Sequence, residues 1–275
     1  MKMSKVSKTV IYILLGLVAI YFLSPFIYML FSAFKTEAEA IAFPPKLFPS
    51  EWRFQNFADA WNSQPFGRYF LNSVLVTVGT TIGQVLSCSL VAYGFARFNF
   101  KGKNVLFMIL LSTMMIPWDV TMIPQYMEFN MFGWINTLKP LIVPAWFGSA
   151  YYIFLMRQFL MGIPKDFEEA ARIDGANSFQ IYWKIFMPIL RPSLILVGVL
   201  NMITAWNDYL GPLIYLKSPE KKTIQLGLKM FISQYSSDYG LIMAGSVLSL
   251  IPVIVVFMCL QKYFVEGVAS TGLKG

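Results

Sequence analysis

Residues Glu168–Pro192 read EEAARIDGANSFQIYWKIFMPILRP, a polar segment that lies between two strongly apolar ones. Pro164 suits the first turn of a helix, and the acidic residues that follow it are favoured there by the helix dipole. Gly175 can end this helix in a left-handed conformation. A helix of a couple of turns is marginal alone in water, so we expect a partner to hold it. Ala170 and Ala171 would let it enter a narrow cleft, which makes the segment a candidate handle for another protein.

A second helix is predicted after the glycine. Either Asn177 or Ser178 can cap its N-terminus. We expect this helix to continue to Met187 and to end before Pro188, because proline cannot donate a backbone hydrogen bond. The sequence therefore predicts a two-helix loop over residues 164–192.

The rest of the chain has the composition of a membrane protein, with 57% hydrophobic and only 13% charged residues. A helix needs about 20 apolar residues to cross a bilayer, and the apolar runs are continuous rather than alternating as in a barrel. We predict an all-α membrane protein that forms a single transmembrane domain over residues 1–275, with about six transmembrane helices. The predicted spans are Val10–Phe34, Leu71–Phe95, Asn104–Met127, Leu138–Leu160, Ser193–Tyr215 and Leu241–Tyr263.

Basic residues set the predicted orientation. They precede the first span and occupy the loops between spans two and three and between spans four and five, which all fall on one side. Lysine and arginine favour the cytoplasmic side, so we predict that both termini and the 164–192 loop are cytoplasmic. Lysines at positions 217, 221, 222 and 229 lie in an opposite loop and weaken this asymmetry. The first span is too long for a signal peptide and is expected to be a retained anchor.

Several classes of function are disfavoured by what the sequence lacks. It contains no histidine, which removes the commonest metal ligand and general base, and it has no phosphate-binding P-loop. We therefore predict no catalytic residue, no metal site and no cofactor in this chain. Its net charge of +8 is spread along membrane edges rather than clustered, so no nucleic-acid partner is expected. Energy for any work must come from an ion gradient or from a partner subunit.

Polar residues within the predicted spans indicate a hydrated path, because polar groups in a membrane usually face protein or water. Span two also carries glycine and hydroxyl residues, which let helices approach closely and hydrogen-bond in lipid. The substrate-path candidates are Trp206, Asn207, Tyr209, Trp118 and Tyr126. Helix packing is an equal alternative for Trp206 and Asn207. Trp118 and Tyr126 are typical of membrane-interface anchors, although aromatic rings also stack on sugars.

Three segments resemble one known family. The loop closely resembles the EAA loop of bacterial ABC-importer permeases at Glu169-Ala170-Ala171, Asp174-Gly175-Ala176, Ile185, Pro188 and Pro192. Residues 204–213, TAWNDYLGPL, are similar to the fifth-span region of carbohydrate-importer permeases. The C-terminal run 261–275, QKYFVEGVASTGLKG, resembles the tail of the maltose-permease G-type subunit.

This resemblance implies a permease subunit of a binding-protein-dependent ABC importer, a multi-pass protein of the bacterial plasma membrane that provides half of the path for a sugar or oligosaccharide. The implied partners are a second, homologous permease, two copies of a cytoplasmic ATPase that carries ATP and Mg²⁺, an extracytoplasmic solute-binding protein and membrane lipid. The implied ATPase-docking residues are Glu169, Ala170, Ala171, Asp174 and Gly175. In the tail, 264–275, the implied ATPase contacts are Ser270, Thr271, Gly272 and Lys274.

Two other classes of protein remain as alternatives. A secondary transporter driven by an ion gradient would need carboxylates deep in its spans, whereas the acidic residues here lie in loops and near span ends. A membrane-embedded enzyme would need a clustered nucleophile, base or metal set, and no such constellation is visible in the sequence.

Overall fold

The computed structural model describes residues 4–229 and 238–272, and helices form all the regular secondary structure in them. This confirms the predicted all-α fold. The longer helices are α1 (Lys5–Ser32), α4 (Phe66–Arg97), α5 (Lys103–Ser112), α6 (Trp118–Met131), α8 (Ala150–Met161), α12 (Arg191–Trp206) and α15 (Tyr239–Gly272). The shorter helices are α2 (Glu37–Ala40), α3 (Gln55–Asn62), α7 (Lys139–Ile142), α9 (Asp166–Ile173), α10 (Ser178–Ile181), α11 (Met187–Ile189), α13 (Leu210–Tyr215) and α14 (Ile224–Lys229). Turns of 3₁₀-helix cover Thr113–Met115, Val143–Phe147 and Pro219–Lys221, and a π-helical segment covers Tyr182–Phe186.

The chain divides into two compact units. The first comprises the segment up to Phe66 and the described residues between Gly227 and Ile251. Its small core joins Ala33, Ala60 and Ala244. The side chain of Asn56 donates hydrogen bonds to the carbonyls of Ala33 and Lys35, at 2.9 and 2.8 Å. These bonds fasten α3 to the end of α1 within this unit.

The connection between α1 and α3 contains no long helix, in agreement with its three prolines. Its short helix α2 is capped by Thr36, whose hydroxyl accepts a hydrogen bond from the backbone N–H of Glu39. The hydroxyl of Ser50 donates to the Glu39 carboxylate at 2.8 Å and lowers the pKa of that carboxyl. Short polar contacts of this kind, rather than regular structure, organise the segment.

The second unit comprises Gly67–Leu226 and the chain from Pro252. Its main core is built from α4, α8 and residues 171–197, and it includes Tyr93, Met156, Leu160 and Phe186. The glycines of span two were expected to let neighbouring segments approach closely, and the structure confirms this. A Cβ atom on Gly83 would lie 2.7 Å from the Trp146 ring, so a glycine is required where these segments meet.

Three helices among the described residues are long and apolar enough to cross a membrane: α1, α4 and residues Tyr239–Cys259 of α15. Two further spans are possible if each bent pair counts as one. Lys103–Met115 meets Trp118–Met131 at 97°, and Ser178–Ile189 meets Arg191–Trp206 at 76°. The number of six spans and the N-in, C-in orientation therefore stay predictions.

Three predicted spans are not the continuous helices that the apolar runs suggested. The span Asn104–Met127 is bent by 97° between the 3₁₀ turn that ends at Met115 and helix α6, which starts at Trp118. The span Leu138–Leu160 was wrong as one helix: it is divided into α7, a 3₁₀ turn and α8. Gly148, with φ +86°, separates the last two elements in a conformation that favours glycine. The span Ser193–Tyr215 is interrupted after Trp206, because α12 ends there and α13 starts only at Leu210.

Candidate functional site

The first helix of the loop, α9, lies close to its predicted place. It begins at Asp166, so Pro164 precedes it rather than occupying its first turn. Three acidic residues lie in the first turn and Arg172 in the last, which is the favourable arrangement for a helix dipole. Gly175 follows with φ +81°, and its backbone N–H donates to the Arg172 carbonyl at 3.0 Å. The glycine stop is therefore confirmed.

The two alanines of α9 point in different directions. Ala171 is buried in the core, whereas Ala170 is exposed. Consecutive residues in an α-helix are about 100° apart, so the two cannot form one small face. Glu168 is also buried and forms an ion pair with Arg172 at 2.7 Å, while Glu169 is exposed. One side of α9 therefore packs on this chain and the other is free.

The second helix of the loop starts at the predicted cap. The Asn177 side chain accepts a hydrogen bond from the Gln180 backbone, and the Gln180 side chain accepts one from the Asn177 backbone, each at 2.9 Å. The predicted end at Met187 was wrong, because helical structure continues to Ile189. Pro188 lies in the first turn of the short helix α11, where its missing N–H is least costly.

The loop is held on its inner side by this chain itself. Ile181, Phe186 and Leu190 are fully buried, and Tyr182 is nearly so. They share a core with Ala171 and with residues of α4 and α8. The expectation that a short helix needs a partner is thus met in part by the chain's own core.

The outer side of the loop exposes large apolar side chains beside the predicted docking residues. Ile173 is 86% exposed and Phe179 is 68% exposed. Four of the five predicted docking residues lie exposed on this part of the loop: Glu169, Ala170, Asp174 and Gly175. Ala171, Asp174 and Gly175 also line a pocket of about 350 Å³, together with Ala176, Gln180, Lys184 and Ile185. Reading the sequence missed the exposed apolar residues, although Ile173 and Phe179 are conspicuous in a polar loop.

A second feature is a cavity of about 770 Å³ between the broken helices, lined by both polar and apolar residues. We call it the polar cavity to distinguish it from the almost wholly apolar cavity described below. It brings together three of the substrate-path candidates, Trp118, Asn207 and Tyr209. Asp208 also lines it, and its carboxylate accepts a hydrogen bond from the Gly211 N–H at 3.1 Å. The remaining polar lining residues are Thr80, Gln84, Gln125, Asn201, Thr204 and Tyr215. No lysine or arginine is among the described residues that line this cavity.

The other two candidates lie outside the polar cavity. Trp206 lines a separate, almost wholly apolar cavity of about 380 Å³, and its ring meets Phe70 edge-on at 5.7 Å. Tyr126 stacks against Tyr215 with ring centroids 6.4 Å apart. Packing therefore describes the observed surroundings of both rings, and their role in a substrate path stays a prediction.

The tail positions are described only in part. The helical backbone of α15 extends to Gly272. The side chains of Ser270 and Thr271, and all of Lys274, lie outside the described residues. Their contact with an ATPase therefore stays a prediction. Within the described ranges, no group of three or more histidine, cysteine, aspartate or glutamate residues could hold a metal ion.

Comparison with known proteins gives concordant matches. Residues 88–270 match the family described as "Binding-protein-dependent transport system inner membrane component". The "Probable ABC transporter permease protein YurM" of Bacillus subtilis is 35% identical over 271 residues, covering 98% of this chain and 90% of that protein. The "Arabinooligosaccharides transport system permease protein AraQ" of the same organism is 31% identical over 274 residues, covering 98% and 96%.

A solved structure shares the fold over nearly its whole length. It is the "Crystal structure of a bacterial ABC transporter involved in the import of the acidic polysaccharide alginate". The matched chain is 27% identical, with a TM-score of 0.83 and coverage of 96% of this chain and 99% of that one. A chain of the MetNI methionine ABC transporter, 15% identical with a TM-score of 0.53, resembles this chain in fold alone.

Proposed function

Because the chain belongs to the family of binding-protein-dependent transport system inner-membrane components, we propose that it forms half of the translocation path for a sugar or oligosaccharide. Proteins of this family are multi-pass permeases of ABC importers in the bacterial plasma membrane and are not enzymes. The ATPase is a separate subunit.

The observation that carries the proposal is the two-sided loop over residues 164–192. Its inner side is anchored in the core, and its outer side exposes Glu169, Ala170 and Ile173. An exposed apolar group beside a carboxylate is a suitable contact for another protein, because interfaces combine an apolar centre with charged surroundings. We assign this outer side to the ATPase, with Asp174 and Gly175 at its edge. Ala171 would support the contact from behind rather than touch the partner.

The polar cavity supports the proposed cargo. Amide groups such as those of Gln125 and Asn207 can both donate and accept hydrogen bonds, as sugar hydroxyls require, and Trp118 supplies an aromatic face. One relative is called an arabinooligosaccharide permease, and another, from Rhizobium radiobacter, a lactose permease. These observations support a carbohydrate as the substrate of this chain.

The proposed assembly contains a second, homologous permease, two copies of the ATPase with ATP and Mg²⁺, and an extracytoplasmic solute-binding protein that delivers the sugar. Closure of the ATPase pair around ATP would displace the loop and rock the spans from inward-open to outward-open. The tail contacts at Ser270, Thr271, Gly272 and Lys274 would add a second connection to the ATPase.

Glu169→Lys tests the docking assignment. A reversed charge beside the apolar contact of an interface costs about 2 kcal/mol or more, so we expect roughly thirtyfold weaker association with the ATPase and loss of ATP-driven uptake. Membrane insertion should be unchanged, because Glu169 is exposed. Glu220→Lys is the matched control, since Glu220 is an exposed carboxylate outside the loop. Normal uptake by the Glu169 variant, or equal loss in both variants, would refute the docking assignment.

A further inference from the structure

Helix α4 carries three residues spaced four apart, Ser89, Tyr93 and Arg97, which share one face of the helix. We call this set the α4 stripe. Each member contacts the loop over residues 164–192, which we call the docking loop, or the chain that leads into it. The stripe therefore connects a membrane-spanning helix to the loop at several points along the loop's path.

Ser89 and Tyr93 contact the second half of the loop. The hydroxyls of Ser89 and Tyr182 are 2.7 Å apart, and both residues are buried. The Tyr93 hydroxyl donates to the Ser178 carbonyl at 3.3 Å. Its ring lies 5.3 Å from the rings of both Tyr182 and Phe186. These contacts hold the π-helical segment against α4.

Arg97 joins the two ends of the loop. One guanidinium nitrogen donates to the carbonyls of Leu160 and Ile163, at 2.7 and 2.9 Å. These carbonyls lie where α8 ends and the loop begins. The same guanidinium lies 4.6 Å from the centre of the Phe186 ring, in the later part of the loop. Arg97 thus contacts the chain before α9 and the chain after it.

The same helix also borders the polar cavity. Thr80 and Gln84 of α4 line that cavity. The Asn201 side chain of α12 donates to the hydroxyls of Thr80 and Thr81, each at 3.1 Å. Helix α4 is 32 residues long, or about 48 Å at 1.5 Å per residue, and it contains no proline. The loop is also joined to the cavity by the chain itself, through α12, but this connection contains a bend of 76° between Ser178–Ile189 and Arg191–Trp206.

We propose that the α4 stripe is the positioning element through which movement of the docking loop reaches the polar cavity. Packed interfaces change between discrete arrangements rather than deforming continuously, so a loop held at several points moves its supporting helix with it. The proposal rests on the docking function assigned to the loop. It differs from a purely structural role, in which the stripe would hold the loop in place without affecting how ATP hydrolysis is coupled to transport.

The test uses the complete transporter, reconstituted in liposomes with its binding protein, and measures sugar molecules transported per ATP hydrolysed. Ser89→Ala, Tyr182→Phe and the double variant form one cycle. Each single variant removes only one hydroxyl. The double variant removes both, so no buried hydroxyl is left without the partner that it has in the wild type. Ser73→Ala is the matched control, because Ser73 is a buried serine at the other end of α4 whose hydroxyl accepts from the Ile224 N–H at 2.8 Å.

We expect each single variant to lower the ratio of transport to hydrolysis by roughly twofold to thirtyfold, the range found for coupling residues, while the ATPase remains bound. The double variant should fall no further than the worse single variant, because the two hydroxyls act as one contact. Arg97→Lys should also lower the ratio, because a lysine ammonium is a compact point charge and cannot reproduce the guanidinium's simultaneous contacts with Leu160, Ile163 and Phe186. Ser73→Ala should keep the wild-type ratio.

A wild-type ratio in the Ser89, Tyr182 and Arg97 variants would overturn the proposal. That result includes the case in which transport and hydrolysis fall in equal proportion, which would show that the stripe only maintains the loop's structure or docking. Failure of the docking function has a different signature: the wild-type permease itself would not bind the ATPase or show sugar-stimulated hydrolysis.

Discussion

The second unit has two ends that are built in opposite ways. At the loop end, side chains such as Phe186 and Leu190 are fully buried, and the polar groups of the α4 stripe bond to defined partners. At the cavity end, the helices break near Pro117, Gly148 and Asn207, and polar side chains line open space. The same unit therefore combines a closely packed region with one that surrounds a cavity.

This difference in packing agrees with the different functions proposed for the two ends. Within a membrane, irregular backbone is tolerated only where it is buried in protein or lines a cavity, and the breaks at this end lie beside the polar cavity. The Asn207 side chain there is exposed, and its amide bonds to the Ile203 carbonyl at 2.8 Å and to the Gln225 side chain at 3.3 Å. The loop end has the opposite requirement, since displacement is transmitted only through side chains that are closely packed.

Phe186→Ala should produce the largest effect on stability. Removal of a fully buried phenylalanine side chain typically costs about 3–5 kcal/mol, and Phe186 is 0% exposed. We expect a clear fall in the melting temperature of the purified protein. Phe179→Ala is the matched control in the same loop, because that ring is mostly exposed. Similar shifts for the two variants would contradict the contrast between the inner and outer sides of the loop.

Gly83→Ala should have an intermediate effect. The added Cβ would lie 2.7 Å from the Trp146 ring, and overpacking of this kind costs about 1–3 kcal/mol. Gly94→Ala on the same helix has no neighbouring atom within 4 Å of the new Cβ, and it should be neutral or stabilising because alanine is the better helix former. Thermal unfolding and uptake measured on both variants would separate close packing from a general effect of glycine replacement. Equal destabilisation would argue against the close approach.

Asn207→Ala should have the smallest effect on stability and a selective effect on transport. The residue is exposed at the polar cavity, so we expect a stability change within about 0.5 kcal/mol. Loss of one hydrogen bond to the sugar should raise the KM for uptake by about fivefold to tenfold. Asn130→Ala is the control, because Asn130 is an exposed amide that does not line the cavity. An unchanged KM would indicate that Asn207 contributes to helix packing and does not contact the sugar.

Local features of the loop could be predicted because their causes are local. The left-handed Gly175 and the Asn177 cap depend on a few adjacent residues, and the all-α membrane class follows from apolar runs of sufficient length. The expectation that Ala170 and Ala171 together let the helix enter a cleft did not take helical periodicity into account. Applying the 100° spacing would have separated the buried alanine from the exposed one.

Features that depend on distant segments were beyond the reach of hydropathy. The span Leu138–Leu160 is mostly apolar, yet it divides into short elements at Gly148. Gly148 lines the polar cavity, and hydropathy alone does not reveal where the backbone of an apolar run meets a cavity. The polar cavity likewise joins residues of α4, α6 and α12, whose proximity depends on tertiary packing rather than on spacing in the chain.

The π-helical segment Tyr182–Phe186 has a consequence for the direction in which the docking loop points. A π turn holds one residue more than an ordinary α turn, and each residue of a helix adds a rotation of about 100°. Deleting one residue here would allow an unbroken α-helix and would swing the exposed end of the loop about the helix axis by about 100°. The direction in which the docking surface points therefore depends on the number of residues between Asn177 and Pro188 as well as on their side chains.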